Sequence, residues 1–304
     1  MYEPVEFSSE GTDLRGRFYG SPSADRSPCL IMAHGTTATI SMVAEDYAAA
    51  FHRAGMSVLL YDHINFGRSG GEVRQEINPW IQGRGYRDAV SYVRKRADVA
   101  PNKIALWGDS YSAMEVLVVG GLIENLAGIV AQIPVCGVEL PNIEPSAENF
   151  MTLKNLFENG EMSGTPETTE GPMPVVSFDQ TGLPSMLKPI QAFRWFIEYG
   201  GRYDSGWLNK VTRVLPSTDV PFSPYLAAPF VSAPTLMMTA RNDEMIHCNP
   251  GVQLSVFEKI QAQKEFYEID GGHFGLLYSP GKLFDEAVAR QTEFLNKIFK
   301  ETTD

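Results

Sequence analysis

Short apolar runs alternate with segments of helical spacing along the first part of the chain. The apolar runs are rich in β-branched and aliphatic residues and are too short for helices, so they predict buried strands. Between them, apolar residues recur at the spacing of one face of an amphipathic helix. The predicted strands are Pro28–His34, Ser57–Tyr61, Lys103–Trp107 and Ala127–Val135, and the predicted helices include Ser41–Ala54 and the run Met114–Leu122.

Strands that alternate with helices form right-handed βαβ units around a parallel sheet with helices on both faces. The alternation stops near Gly137, and residues 137–230 carry eleven of the twenty prolines together with many aromatic residues. Strand-like runs and a final helix return at Pro234–Ala240, Glu265–Ile269 and Phe284–Phe299. We therefore predict an α/β fold with a mostly parallel central sheet, built from residues 1–136 and 231–304, and an inserted cap or lid at residues 137–230.

The composition limits the classes of partner. The 304 residues are 43% hydrophobic, which suffices for one large core, and the formal net charge of −12 argues against a surface for nucleic acid or anionic lipid. The sequence has no apolar run long enough for a membrane span, and its acidic first residues do not resemble a secretory signal. Three unpaired cysteines favour a reducing, cytoplasmic location. Composition leaves a homo-oligomer open.

The segment KIALWGDSYS, residues 103–112, places a serine between a predicted strand and a predicted helix. An acyl-transfer serine projects from such a sharp turn, where its oxygen is exposed and backbone N–H groups face the reacting carbonyl. Small residues are needed two positions before and after the serine, and Gly108 and Ser112 occupy those positions. We predict Ser110 as the nucleophile, although an ordinary strand–loop–helix with a capping serine shows a similar pattern.

A serine nucleophile needs a general base, and the chain has five histidines. His273 follows the last predicted strand, and two adjacent glycines let its loop turn back toward the sheet edge. His34 is interpreted as a residue that shapes the turn after the first predicted strand. His52 falls on a polar helix face, and His63 lies in a Gly-rich loop. His273 is therefore the predicted base.

The acid of a Ser–His–acid triad is expected after the strand that lies between nucleophile and histidine in the sequence. Asp243 and Glu244 follow the strand Pro234–Ala240. Asp243 is the predicted acid, because a short side chain on a tight loop is more easily held against an imidazole, and Glu244 is the alternative. The acid orients the imidazole and stabilises its charged form, so it needs no contact with substrate.

Acyl transfer also requires two N–H groups that point at the developing oxyanion. One follows from the serine turn and is the backbone N–H of Tyr111. The second is expected from the loop after the first predicted strand, where we predict the N–H of Thr36. A tight loop without a catalytic role is the alternative interpretation of that segment.

The sequence indicates no cofactor. It has no glycine-rich dinucleotide motif after its first strand and no paired His or Cys spacing typical of a metal site. The expected partner is a small-molecule acyl substrate, whose pocket needs mostly apolar walls. Trp195, in a segment of helical spacing, and Trp207 are the candidates for lining the mouth above Ser110. Packing within the cap's own core is the alternative role for both.

Six segments form an ordered set along the chain: MAHGTT, YDHINFGRSGG, INPWIQGRGYRDAVSYVR, IALWGDSYS, APTLMMTARNDEMI and DGGHFGLLY. This set resembles the serine hydrolases of the α/β-hydrolase superfamily, and among them the dienelactone-hydrolase-like and Xaa-Pro-peptidase-like esterases of bacteria and fungi. The resemblance covers most of the chain outside the insertion. It implies the α/β-hydrolase fold and places the family's nucleophile, acid and base on Ser110, Asp243 and His273.

Three features depart from the family pattern. Ser112 stands where many relatives have glycine. Ile64 and Asn65 replace an Arg–Gly pair that is common after the strand-end aspartate, here Asp62. His247 lies where proline is usual just beyond the acid, and it is the second candidate for the base.

The favoured function is hydrolysis of a carboxylic ester, or of an amide, lactone or thioester, through an acyl-enzyme on Ser110. An acyltransferase or a carbon–carbon bond hydrolase would use the same three residues. A non-catalytic binding protein on this fold is disfavoured, because all three triad residue types occur in the right order.

Overall fold

A computed structural model of the protein describes residues 1–22, 26–160 and 168–302. The strands in these ranges are β1 Glu3–Ser9, β2 Thr12–Tyr19, β3 Ser27–Ala33, β4 Ser57–Tyr61, β5 Glu76–Ile77, β6 Val99–Asp109, β7 Gly128–Gln132, β8 Thr168–Met173, β9 Val211–Leu215, β10 Thr235–Ala240 and β11 Lys264–Ile269. The helices are α1 Ala44–Arg53, α2 Pro79–Arg94, α3 Tyr111–Leu122, α4 Ala147–Asn159, α5 Ile190–Gly200, α6 Pro224–Ala227, α7 Pro250–Lys259 and α8 Lys282–Glu301. Short 3-10 turns occur at Ala228–Phe230 and His273–Leu277.

The main sheet has eight strands in the order β1-β2-β4-β3-β6-β7-β10-β11. β1, β2 and β4 pair antiparallel, and all later pairs in this order are parallel. The predicted α/β architecture with a mostly parallel sheet is therefore confirmed. Because parallel strands end at the same edge, the residues after β3, β6, β10 and β11 gather at one edge of the sheet.

Helices cover both faces of the parallel strands. In β3, Leu30 and Met32 belong to one buried core, whereas Ile31 and Ala33 belong to another on the opposite face. α1 and α8 contribute to the first core, and α2, α3 and α7 contribute to the second. Burial on both faces explains why these strands appear in the sequence as continuous apolar runs without alternation.

The N-terminal hairpin of β1 and β2 was not predicted from the sequence. β1 and β2 alternate buried and exposed residues, as half-buried strands do, and are joined through Glu10 and Gly11 with φ of 49° and 71°. Their charged outward faces gave no continuous apolar run to recognise.

The strand predicted at Lys103–Trp107 is longer, Val99–Asp109, and the strand predicted at Ala127–Val135 is shorter, Gly128–Gln132.

Residues 137–230 contain α4, β8, α5, β9 and α6 within their described part. β8 and β9 join β5 in a separate three-stranded sheet with the order β5-β9-β8. α5 packs against the turn His273–Leu277, where the Trp195 indole N–H donates to the Leu277 carbonyl oxygen at 2.7 Å. α6 packs on α3, and its buried Leu226 and Ala227 belong to the second core. The division into a core and a cap domain stays a prediction.

Among the described helices, none combines the length and the hydrophobicity that crossing a lipid bilayer requires. The three cysteines, Cys29, Cys136 and Cys248, are all buried as free thiols.

A buried hydrogen bond joins α8 to the centre of the sheet, where the Trp107 indole N–H donates to Gln291 Oε1 at 2.8 Å. We expect Gln291→Met, which keeps most of the volume but removes the acceptor, to lower the free energy of unfolding by about 1–3 kcal/mol. Chemical denaturation followed by circular dichroism measures the change. Lys300→Met, at an exposed position of the same helix, is the control, and an equal loss there would contradict the assignment.

Candidate active site

Ser110 lies in a strained turn between β6 and α3. Its backbone has φ 54° and ψ −113°, a conformation that residues with a Cβ rarely adopt. A Cβ on Gly108 would lie 2.3 Å from the carbonyl oxygen of Ser112, so the turn requires glycine there. The turn presents Ser110 at the carboxyl end of β6, as the strand–serine–helix motif implies.

Ser112, which replaces the more usual glycine, is buried and fits the turn. Its Oγ accepts a hydrogen bond from the N–H of Asp109 at 3.1 Å and lies 3.0 Å from the carbonyl oxygen of Ala33. Ser112 therefore ties the end of β3 to the serine turn, and the departure from glycine adds polar contacts.

The structure brings Ser110, His273 and Asp243 into one hydrogen-bonded chain. Ser110 Oγ lies 2.9 Å from His273 Nε2, and His273 Nδ1 lies 2.9 Å from Asp243 Oδ2. An ionised carboxylate only accepts hydrogen bonds, so the imidazole proton belongs on Nδ1 and Nε2 accepts from the serine hydroxyl. The imidazole is 2% exposed, so its hydrogen bonds to Ser110 and Asp243 are shielded from bulk water. The arrangement suits transfer of the serine proton to His273.

The two adjacent carboxylates after β10 have different contacts. Asp243 holds the imidazole, and its other oxygen accepts the N–H of Met245 at 2.8 Å. Glu244 Oε2 accepts the backbone N–H of His273 at 2.8 Å. A Cβ on Gly272 would lie 2.5 Å from that carboxylate oxygen, so glycine leaves room for the contact. Glu244, the alternative acid in the sequence analysis, thus contacts the backbone of the histidine and Asp243 contacts its ring.

Cys248, which the sequence analysis did not connect with the site, lies beside the histidine. Its Sγ is 3.6 Å from His273 Nδ1, and burial raises the pKa of its thiol well above the usual range. Within the described part of the chain, Asp243, Cys248 and His273 form a close group of side chains of the kinds that bind metals. A protonated thiol and a carboxylate already bonded to the imidazole suit a hydrogen-bonded site better than a metal.

The loop after β3 packs directly against the serine turn. The Gly35 N–H donates to Asp109 Oδ1 at 2.8 Å, and a Cβ on Gly35 would lie 2.4 Å from the Asp109 carbonyl oxygen. Thr36 follows with a positive φ of 48°. Thr36 and Tyr111, the two predicted oxyanion donors, line the same cavity as Ser110. The carboxylate of Asp109 is therefore one of the contacts that hold the Thr36 loop against the serine turn.

A second group of ionisable residues is buried behind the turn. His63 Nε2 lies 3.3 Å from Glu115 Oε2, and His34 Nδ1 lies 3.1 Å from Asp109 Oδ1. Burial lowers the pKa of His63 to about 3 and raises the pKa of Glu115 well above its usual range. His63 is therefore neutral at pH 7, and burial favours the protonated, neutral form of Glu115.

The loop after β4 contains Ile64 and Asn65, another departure from the family pattern. Asn65 has φ 72°, a conformation that asparagine tolerates better than most residues, and Ile64 packs against the second core. Asp62 accepts the backbone N–H groups of Ile40 and Arg68 at 3.0 and 2.9 Å. The aspartate therefore organises two loops.

Two cavities meet at Ser110. The larger has a volume of about 970 Å³, with Thr36, Ser110 and Tyr111 in its wall. The smaller, about 20 Å³, also borders Ser110 and His273. The larger cavity is bounded mainly by apolar side chains, among them Ile77, Trp80, Met114, Leu187, Leu215 and Phe222.

Neither of the two tryptophans predicted to line the mouth above Ser110 is among the described residues of the large cavity wall. Trp195 borders the small cavity, but it is 1% exposed and its ring stacks on Tyr199 with centroids 5.0 Å apart. Trp207 packs on Phe196, and its indole N–H donates to Thr37 Oγ1 at 3.2 Å. Trp80 is the tryptophan found among the described residues that line the large cavity. Trp80 was missed because it follows Pro79 at the start of α2, outside the insertion that the sequence analysis searched.

His247, the second candidate for the base, borders the large cavity and is outside the hydrogen-bonded chain of Ser110, His273 and Asp243. Partial burial and the positive charge of Arg213 lower its pKa, so it is neutral at pH 7.

Four features define the α/β-hydrolase fold, as predicted. They are the mostly parallel sheet, the serine turn after β6, the acid loop after β10 and the histidine loop after β11. No protein-family model matches the chain. The chain is 28% identical to a thiohydrolase of Arthrinium phaeospermum over 99% of this chain and 98% of the relative. It is also 28% identical to a polyketide transferase of Aspergillus fumigatus, over 97% and 98% of the two chains.

A solved structure of an alpha/beta hydrolase from a Penicillium species has a TM-score of 0.74 and 25% identity, and the match covers 99% of both chains. An esterase of Pyrococcus furiosus shares the fold with a TM-score of 0.61 and 15% identity, over 98% and 93% of the two chains. These findings support a hydrolase or acyl-transfer enzyme of the α/β-hydrolase superfamily. They do not bear on the dienelactone-hydrolase-like or Xaa-Pro-peptidase-like resemblance.

The contact between Asp109 and the Gly35 N–H yields a testable prediction. We expect Asp109→Ala to slow the labelling of Ser110 by a fluorophosphonate by roughly 10- to 10²-fold, less than the loss caused by removing an oxyanion donor outright. Asp109→Asn keeps an acceptor oxygen and is the matched control. The labelling rate of the two folded variants measures the effect. Equal rates in Asp109→Ala and the unsubstituted protein would show that the loop is held by other contacts.

Proposed function

We propose that this chain is a serine hydrolase that cleaves an acyl thioester or a related carboxylic ester through an acyl-enzyme on Ser110. The observation that carries the proposal is the 2.9 Å approach of His273 Nε2 to the oxygen of a serine held in a strained turn at the wall of a large cavity. Asp243 completes the arrangement at 2.9 Å from Nδ1.

In the proposed first step, Ser110 Oγ attacks the acyl carbonyl carbon while His273 Nε2 takes the serine proton. The ionised Asp243 stabilises the imidazolium that forms and keeps the ring in place. The same Nε2–H then protonates the leaving thiol or alcohol as its bond to the carbonyl carbon breaks. The Glu244 carboxylate, which holds the His273 backbone N–H, acts as a positioning group for this loop.

The tetrahedral intermediate carries its negative charge on the former carbonyl oxygen. We assign its stabilisation to the backbone N–H groups of Tyr111 and Thr36. Tyr111 begins α3, so its N–H is one of the unpaired donors of a helix N-terminus and adds the favourable end of the helix dipole. Thr36 is held by the close packing of Gly35 on the serine turn.

Deacylation requires a second nucleophile next to the acyl-enzyme. The small cavity of about 20 Å³ beside Ser110 and His273 has room for one water molecule. His273 would remove a proton from this water as it attacks the ester carbon, and would return the proton to Ser110 Oγ. The size of this cavity supports water as the acceptor.

A large acyl group is supported by the dimensions of the site. A volume of about 970 Å³ lies at the upper end of the range for small-molecule pockets, and the walls are mainly apolar. The names of relatives, two thiohydrolases and two polyketide transferases among them, support a thioester of a polyketide-like acyl chain. We therefore propose a long, partly oxygenated acyl thioester as the substrate.

The second candidate is transfer of the acyl group to an alcohol, thiol or amine. The observation in its favour is that relatives along nearly the full length of the chain are named polyketide transferase and acyltransferase. The chemistry on Ser110 is identical until the acceptor attacks, so the acceptor decides between the two reactions.

The proposed roles predict how three substitutions act on thioester hydrolysis. We expect Ser110→Ala and His273→Ala each to lower kcat by roughly 10⁴-fold or more, because members of a triad act as one unit. We expect Asp243→Asn to lower it nearly as much, because the imidazole would adopt the wrong tautomer. Release of free thiol from an N-acetylcysteamine thioester measures the rate.

His52→Ala, on α1, is the matched histidine control and should keep the activity of the unsubstituted protein. Substantial activity in His273→Ala together with its loss in His247→Ala would make His247 the base. Full activity in Ser110→Ala would refute the acyl-enzyme.

The choice between water and another acceptor is a separate prediction. We expect the free acid to remain the main product when a primary alcohol is added at millimolar concentration, because the small cavity beside Ser110 and His273 has room for a water molecule but not for an alcohol. Mass spectrometry of the products, with an acyl-thioester substrate and increasing alcohol, measures the partition. A predominance of ester product at low alcohol concentration would identify a transferase.

A further inference from the structure

The large cavity has one wall that is polar and positively charged. Arg213 on β9 lines the cavity, and so do Tyr111, which directly follows Ser110, and His247 in the loop after β10. The three side chains come from separate parts of the chain. Burial raises the pKa of Tyr111 and the charge of Arg213 opposes this rise, whereas burial and Arg213 together lower the pKa of His247. The mainly apolar cavity therefore contains a cluster of hydrogen-bond donors near the nucleophile.

The guanidinium of Arg213 is only partly used within the protein. One of its nitrogens, Nη2, lies 2.7 Å from Glu170 Oε2 on β8, and the Arg213 side chain is 28% exposed. Its buried Nε–H has no hydrogen-bond acceptor among the described residues. Arg213 lines the large cavity, whereas Glu170 is not among its described lining residues. Donor capacity therefore remains for an acceptor that enters the cavity.

Two of the side chains that line the cavity with Arg213, those of His247 and Tyr111, carry no negative charge that would oppose it. His247 is neutral at pH 7, since partial burial and Arg213 lower its pKa. Tyr111 keeps its proton, because burial raises its pKa more than Arg213 lowers it. The carboxylate of Glu244, which also lines the cavity, is bonded to the backbone N–H of His273.

We infer that Arg213, with Tyr111 and His247 beside it, forms a subsite that binds an anionic oxygen group, such as a carboxylate, carried by the acyl chain. A guanidinium next to neutral hydroxyl and imidazole donors in apolar surroundings is suited to a carboxylate, because both oxygens of the anion find charge-assisted hydrogen bonds. The subsite would select acyl chains that carry an anionic oxygen at a fixed distance from the scissile carbonyl. This inference rests on the proposed function, since it assigns the large cavity to the acyl group.

The test compares N-acetylcysteamine thioesters of dicarboxylic acids with those of the matching ω-carboxamides, over a series of chain lengths. The carboxamide has nearly the same shape but no charge, and N-acetylcysteamine carries no anion. We expect kcat/KM to favour the carboxylate at one chain length. In Arg213→Met the ratio of carboxylate to carboxamide should fall by roughly 10- to 100-fold, the range for a hydrogen bond to a charged group.

Two variants control for charge and for stability. Lys188→Met removes the other cation of the cavity wall, which is exposed, and should keep the carboxylate preference. Glu170→Gln breaks the same ion pair as Arg213→Met while retaining the cation, and should keep or increase the preference. If Arg213→Met does not fold, Arg213→Lys, which retains the charge without the planar guanidinium, should give an intermediate ratio.

Three outcomes would overturn the inference. One is an unchanged ratio in Arg213→Met, and another is loss of the preference in Lys188→Met. The third is an Arg213-dependent advantage of coenzyme A thioesters over N-acetylcysteamine thioesters of an uncharged acyl group, which would place the anion on the leaving group.

A binding measurement separates this inference from the proposed function. Calorimetric titration of Ser110→Ala and of Ser110→Ala/Arg213→Met with the same thioesters reports the carboxylate preference without turnover. Arg213-dependent preference in binding, with no hydrolysis by the unsubstituted protein, would refute the proposed function alone. Hydrolysis by the unsubstituted protein with equal binding of carboxylate and carboxamide would refute the subsite alone.

Discussion

The left-handed backbone of Ser110 is held in place by close packing, and the geometry of the whole site depends on this constraint. Below the turn, Gly108 lies where any Cβ would collide with the Ser112 carbonyl. Beside it, Gly35 lies where a Cβ would collide with the Asp109 carbonyl. The strain of the turn persists only because β3 and β6 are fixed side by side in the sheet. The sheet therefore provides the rigidity that a preorganised nucleophile requires.

The parallel arrangement of the strands also explains how residues far apart in the sequence meet. The loops after β10 and β11 bring Asp243 and His273 to the edge at which Ser110 projects. Glu244 then fixes the backbone of His273 while Asp243 fixes its ring. Two neighbouring carboxylates in one short loop thus restrain both the position and the rotation of the imidazole, which a single acid could not do.

Burial separates the ionisable groups near the site into two populations. Behind the turn, burial lowers the pKa of His63 and raises the pKa of Glu115, so it favours the neutral form of both side chains. In the large cavity, Arg213 pairs with Glu170 at 2.7 Å, and its side chain is 28% exposed. The positive charge of Arg213 thus lies in the wall of the cavity where a substrate would bind.

The sequence by itself determined the parallel core and the identity of the residues that approach Ser110. These follow from local properties, because strands buried on both faces appear as apolar runs and a serine turn requires glycine at a fixed spacing. The half-buried hairpin of β1 and β2 was missed, since its outward face is charged and its pairing is decided by contacts with β4. The sequence also could not decide which aromatic residues border the cavity. Trp195 and Trp207 lie in the aromatic part of the insertion, where Trp195 packs on Tyr199 and Trp207 packs on Phe196. The large cavity is instead lined by Trp80, which comes from α2. Only the tertiary structure determines the cavity wall, because the wall is assembled from side chains of separate elements and no local pattern encodes their meeting.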